Sequence, residues 1–495
     1  MRRRPRRSSR KRGPLSSSSN PRRVAVLVTA IACACAGLGG SAFAAKKPKK
    51  PRWDPRVLEF ANFVEDERGL AFEHPVEVQF LSAKKFKNLL RDDSKPTKKE
   101  QEFEDQIGGE LLALGLVSEG LDFGQASEDL TVEGTLGFYD SETEELVVRG
   151  TSLESVDVRV TVVHELTHAL QDQHFNLDKL YDGATEGSEA LALEVLVEGD
   201  ATTIEDAYIE SLSKKDRDRY YGEISDFLEG SELPEDAPHA LDVFSSAPYV
   251  LGEAYVYALD PDGDTNGRDR AFRHPPKTEE VLIDPLALRQ RQRAKKVPTA
   301  KVEEGEKKAY DAEQFGVLTL YLMLATRIDI RAALEAVTGW GGDSYLGFKE
   351  NGDACVRINI TGDTETDTDE LEAALIEWQE TMPEGAADVG RSEDVVTVTA
   401  CEASGITAPS TERFDSAFYT VLGQRIYFVL DLMQNGGLDL DDALCAGDFV
   451  STDPNVVAAF DQAVAENREP TDDDYVVINR AYLDAYDACG LEPPS

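Results

Sequence analysis

Apolar positions along the chain change period several times, and each change marks an element. Residues 74–81 alternate apolar and polar side chains, the period of a strand. The flanking stretches, about 54–68 and 83–91, and a third at 98–117 space their apolar residues three or four apart and predict helices. Residues 135–149 alternate again on both sides of residues 140–143, which predicts a hairpin with its turn there. From Ser152, a residue suited to an N-cap, to about Phe175 no Gly or Pro interrupts the run. Val158, Val162, Val163, Leu166, Ala169 and Leu170 supply its apolar positions, so a long helix is expected. A second long helix is predicted over residues 186–211, irregular chain over 226–247, an apolar helix over 248–259 and a loop over 260–267.

Further on, helices are expected at 314–327, 331–337 and 368–381, and strands at 345–349, 355–360 and 395–400, with a turn at residues 339–343. From about residue 411 the chain reads as helical and acidic to its end, and it contains no internal repeat. This mixture is an α+β pattern. Residues 55–410 form one expected domain with its core at about 135–345, followed by a helical region at 411–495 that carries no motif.

The N-terminus changes the picture of location. Residues 1–23 are rich in Arg and Ser, residues 24–38 are apolar, and Ala42-Phe43-Ala44 follows, the order of a signal peptide cut after Ala44. The same apolar run is just long enough to span a bilayer if uncleaved, which is the one membrane association expected. Residues 45–54, rich in Lys and Pro, read as a linker, and residues 45–134 precede the site described below and could cover it in a precursor. Cleavage leaves Cys355, Cys401, Cys445 and Cys489, none in C-x-x-C spacing. Two disulfides are expected in an exported chain, most simply between neighbours. The net charge is −42, and ten of the 52 Lys and Arg lie within residues 1–44, which carry no acid. So acidic a body repels phosphates and excludes nucleic acid as a partner.

The long helix at 152–175 carries His164-Glu165-Leu166-Thr167-His168, an H-E-x-x-H motif. Residues four apart share a helix face, so His164 and His168 can hold one metal ion, with Glu165 beside it to take a proton from a bound water. Zinc in such a site needs a third protein ligand. His174 falls at the last position of the H-E-x-x-H-x-x-G-x-x-H pattern, but Gln171 stands where that pattern turns the chain at Gly. On an unbroken helix His174 points to another face. The helix at 186–211 offers Glu189, Glu194, Glu198, Asp200 and Glu205, and spacing places Glu194, Glu198 and Glu205 on one face. Gly199 selects Glu198, because a glycine beside a ligand lets another backbone approach, and Leu196 and Val197 mark the stretch as buried.

His164, His168 and Glu198-Gly199 together resemble the gluzincin zinc metallopeptidases. The run from His164 through Phe175, followed by Val197-Glu198-Gly199-Asp200-Ala201-Thr202, is similar to a poorly characterised group of exported bacterial zincin-like proteins. So are Gly137-Phe138-Tyr139-Asp140, Pro248-Tyr249-Val250-Leu251-Gly252, residues 275–282 and Gly339-Trp340-Gly341-Gly342-Asp343. The resemblance covers roughly residues 55–380 and implies a zincin-like fold with peptidase chemistry on a peptide or protein substrate. The gap of 29 residues between His168 and Glu198 is longer than gluzincins usually have.

The resemblance also implies a sheet-edge strand that takes the substrate as an added strand, a role that Leu146-Val147-Val148-Arg149 fits. Tyr249, Tyr255 and His274 are candidates to stabilise an oxyanion, Tyr249 first because it lies in a resembling stretch. Residues 260–269 are similar to a calcium loop but have Thr265 at the sixth position in place of Gly, and Ala271 at the twelfth in place of Glu. The expected function is that of a secreted or cell-surface zinc peptidase. The alternatives are a binding protein on the same scaffold and a zinc hydrolase of a non-peptide bond.

Overall fold

In the computed structural model, residues 52–91, 96–184, 187–229, 238–260, 265–284, 294–466, 468 and 470–492 are described. The expected signal peptide lies outside them, as do most of the linker and residues 261–264 of the calcium-like loop. Helix α1 (Leu58–Arg68) leads to strand β1 (Glu77–Leu81), then α2 (Ala83–Leu90), α3 (Lys98–Ala113) and α4 (Phe123–Gly134). The hairpin β2 (Gly137–Asp140) and β3 (Glu145–Arg149) follows, and then α5 (Val156–Phe175), α6 (Leu177–Asp182), α7 (Gly187–Ser211), α8 (Lys214–Glu229), α9 (His239–Leu259), α10 (Asn266–Arg273) and α11 (Glu280–Ile283).

Strands β1, β3 and β2 form a three-stranded sheet in that order, β1 parallel and β2 antiparallel to β3. The strand expected at the edge, Leu146 to Arg149, is therefore the central one, paired on both sides, and cannot take an added strand. Its signal was a continuous apolar run: Leu146, Val147 and Val148 are all buried, as in a strand covered on both faces. The outer strands are β1 and β2. Helix α5 packs over the sheet through Val160, Val163 and Leu166, sharing a core with Leu146 and Val148 of β3 and Phe60 and Val64 of α1. Helix α1 and strand β1 are thus built into the sheet layer, so residues 58–81 are not a detachable cover.

The next unit comprises β4 (Lys307–Lys308), α12 (Val317–Ala325), α13 (Ile330–Thr338), β5 (Trp340–Glu350), β6 (Asp353–Gly362), α14 (Glu365–Glu380), β7 (Ala387–Ser392) and β8 (Val395–Cys401). Its five strands are antiparallel in the order β4-β5-β6-β8-β7. Residues 340–343, expected as a turn, instead open β5, and their glycines serve an irregular register between Trp340 and Gly342. The regular elements described after β8 are all helical: α15 (Thr411–Asp415), a π-helical segment (Ser416–Leu422), α16 (Gly423–Gln434), α17 (Leu440–Ser451), α18 (Pro454–Ala465) and α19 (Asp472–Ala488). These helices close a core of their own around Val429, Ala443, Val450, Ile478 and Ala485, sealed against Ala254 and Ala258 of α9. The architecture is α+β with a helical C-terminal region.

Two disulfides close it: Cys355–Cys401 across the directly opposed positions of β6 and β8, and Cys445–Cys489 between α17 and the end of α19. Loops of this length constrain the unfolded chain by about 4 kcal/mol each in the chain-entropy picture. Such bonds persist in an oxidising compartment. Among the described residues no helix is long and apolar enough to cross a membrane.

The stretch 226–247 is more regular than its pattern: α8 reaches Glu229, and α9 begins at His239 and carries Pro248 inside it. Proline is favoured in a first turn and costly within a helix, so the pattern starts the helix at Pro248. Packing against α7 overrides that preference. The two helices touch backbone to backbone. A Cβ on Gly199 would lie 2.2 Å from the Gly252 carbonyl oxygen, and one on Gly252 would lie 2.6 Å from that of Val195. Neither backbone can yield as a side-chain tip would. Gly199→Ala is accordingly expected to lower stability by about 1–3 kcal/mol, read as a shift in denaturant midpoint at constant slope. An unchanged midpoint would show that the helices separate freely.

Candidate metal site

Helix α5 brings two donors to one point, His164 and His168, and the third comes from the neighbouring helix α7, which carries Glu198. The Nε2 atoms of His164 and His168 lie 3.0 Å apart, and the Glu198 Oε2 lies 3.1 Å from the first and 3.4 Å from the second. All three side chains are buried. These are the separations a metal centre requires: ligands held about 2.0–2.1 Å from a tetrahedral zinc sit about 3.3 Å from one another. One oxygen and two nitrogens also match zinc's preference for mixed N and O donors.

Charge is shared within this trio. Burial opposes charge on His164, but Glu198 and Glu205 hold its imidazolium well above the usual histidine range. Burial works against the Glu198 carboxylate too, and the two histidines nevertheless bring it down to about 2. A metal cation entering the site therefore displaces protons from the rings. Glu165 lies on the same helix and is buried, and burial pushes its carboxyl above the usual range against the pull of His168 and His164. It faces β2: a Cβ on Gly137 would lie 3.1 Å from its Cγ and 3.3 Å from its Oε1. Only a glycine at 137 lets the outer strand pass this close to Glu165.

The close crossing at Gly199 and Gly252 has a second consequence. It draws α9 over the site, so that the Tyr249 ring, one turn before Gly252, stands 6.2 Å from the His164 ring between centroids. The glycine beside Glu198 thus serves α9, not the approach of α5. The other sequence candidates go elsewhere. His174 is half-buried, and its Nε2 lies 2.8 Å from the Ala71 carbonyl oxygen, to which it donates. Glu194 lies one turn before Glu198, half-buried, and burial with the Glu198 carboxylate pushes its carboxyl up to about 8. Tyr255 is buried deeper in α9, and His274 ends α10. In the calcium-like loop, Asp260 accepts from the backbone of Gly267 and Arg268 and from the Arg268 guanidinium, while Asp269 pairs with Arg68 and Arg273.

Three residues around the site take positions that the sequence pattern does not announce. Glu205, a candidate ligand by its spacing, instead accepts from His164 Nδ1 at 2.8 Å and takes the Tyr220 hydroxyl at 3.4 Å on its other oxygen. Gln171, which stands at the glycine position of the longer histidine pattern, meets His168 Nδ1 at 3.0 Å. Asp200 lies fully buried between two arginines. The available signal was polarity at positions flanked by apolar residues in two otherwise buried helices.

Residues 304–416 match the model of a domain of unknown function, DUF8575. That span holds the five-stranded sheet and its helices and none of the residues of the metal site. No curated protein and no solved structure matches the chain.

Proposed function

We propose that the chain is an exported zinc-dependent peptidase of the gluzincin kind, built on a zincin-like core. The observation that carries the reading is the convergence of His164 Nε2, His168 Nε2 and Glu198 Oε2 within 3.0–3.4 Å of one another in a buried setting. Zinc at this point, when bound, supplies Lewis acidity and a water whose pKa falls to about 7. Glu165 stays outside the donor trio and so is available to accept a proton and return it to a leaving amine. A binding scaffold would need the three ligands but not a buried carboxylate beside them, which favours an enzyme. The Tyr249 hydroxyl is the candidate donor to the oxygen that gains charge. The two disulfides suit an exported protein.

The substrate strand is assigned to the outer edge of β2 in place of β3. Strand β2 pairs only with β3 among the described strands, and Gly137 brings it against Glu165. An extended peptide added there gains backbone hydrogen bonds while its scissile bond passes the base.

The test is metal analysis of the purified protein paired with cleavage of casein or a peptide library, with and without chelator. One zinc per chain and chelator-sensitive cleavage are expected, and His164→Ala is expected to abolish both. Full zinc retention by His164→Ala would remove the site. A zinc-loaded protein that cleaves nothing in the library would favour the binding scaffold.

A further inference from the structure

Four charged side chains are buried behind the metal site and take no part in the donor trio. The Arg68 and Asp200 side chains are fully inaccessible, and Arg268 nearly so. Asp200 Oδ2 accepts from Arg68 Nε at 2.8 Å, and its Oδ1 accepts from Arg268 Nη1 at 2.9 Å. Burial opposes its charge, yet the two guanidiniums hold the carboxyl below the usual range. Arg68 is fixed in turn by Asp269 at 2.9 Å and by the rings of Phe175 and Phe272, and Arg268 by Asp260 at 3.2 Å. The anchors come from α1 and α10, and Asp200 comes from the turn of α7 that also carries Glu198.

Gln171 connects this cluster to the metal site. Its Nε2 lies 2.9 Å from the Val197 carbonyl oxygen and 3.0 Å from Asp200 Oδ2. Both of these are acceptors only, so the amino end of the amide must point at them. The carbonyl end then faces His168 Nδ1 at 3.0 Å and needs a donor there. His168 must carry its proton on Nδ1, which leaves Nε2 to the metal. His164 reaches the same state by another route, since Glu205 is an acceptor 2.8 Å from its Nδ1.

We propose that Gln171 and Asp200 are positioning residues that fix His168 as an Nε2 ligand, with Arg68 and Arg268 as their anchors. The proposal rests on the metal reading above and extends it: the two histidines are preset by different devices, a carboxylate for His164 and an amide held by an ion cluster for His168. Partners behind metal-ligating histidines are worth about 10–100-fold in metal affinity when removed.

The experiment measures zinc affinity of the full-length protein by competition with a chromogenic chelator, together with the melting temperature of the zinc-free protein. Gln171→Leu keeps the volume and loses the amide, and Gln171→Met, with a flexible thioether, replaces it should the Leu variant fail to fold. The expected result is a loss of zinc affinity of about 10–100-fold with the zinc-free melting temperature held within a few degrees. A lower melting temperature with unchanged zinc affinity would mean that Gln171 is only a packing residue and would overturn the proposal. Unchanged affinity at unchanged melting temperature would overturn it equally, while leaving the metal reading intact. Absence of zinc binding by the unmodified protein would instead overturn the metal reading itself.

Discussion

Glu165→Gln is expected to lower kcat by about a hundredfold or more while one zinc per chain is retained. The side chain keeps its size and shape, so the buried space against Gly137 and Thr161 stays filled. What it loses is the capacity to take a proton. Glu165 is not one of the three converging donor atoms, so metal content has no reason to change. The comparison is made at equal zinc loading on any peptide that the native protein cleaves. An unchanged kcat would show that Glu165 is not the base. A loss of zinc along with kcat would show that it supports the ligands, which the distances do not suggest. General-base catalysis contributes about 10²–10⁴-fold in typical enzymes, so even the lower limit is easily measured.

The two long helices were legible because their sequences are consistent at every level. Residues 156–175 contain no breaker, carry apolar residues at helical spacing and end at Asn176 in the left-handed conformation. The His164 and His168 pair follows directly from that helix, since positions four apart must face one way. Glu198 is less direct, because Gly199 signals a close approach without saying which element makes it. Gly199 does permit a close approach, but the visitor is Gly252 of α9, and the benefit is the placement of Tyr249. The order of strands was not legible. The continuous apolar run at Leu146, Val147 and Val148 speaks of burial on both faces, and its partner β1 lies more than sixty residues earlier. Nothing local announces such a parallel pairing. The cluster behind the site was hidden for the same reason. Arg68, Asp200 and Arg268 are ordinary surface residues by type, and only tertiary structure makes them partners.

Asp200→Ala is expected to cost about 3–5 kcal/mol of stability in the zinc-free protein, because it leaves two buried guanidiniums without their shared counter-ion. Among the described residues Arg68 would keep Asp269 as its acidic partner, and Arg268 would keep Asp260. Gln171 would lose one of the two acceptors that orient its amide. Against a total stability of about 5–15 kcal/mol, such a loss brings the protein close to unfolding at ordinary temperature. Equilibrium denaturation in urea is the measurement, with the midpoint falling and the slope unchanged. The size of the effect reflects stranded charge more than the value of the intact cluster, and a second variant separates the two. Combining Asp200→Leu with Arg68→Met and Arg268→Met removes the charges together and is expected to recover much of the loss, as apolar replacement of buried ion clusters often does. A combined variant as unstable as Asp200→Ala alone would mean that the ion cluster itself, rather than the avoidance of unpaired charge, holds α1, α7 and α10 together.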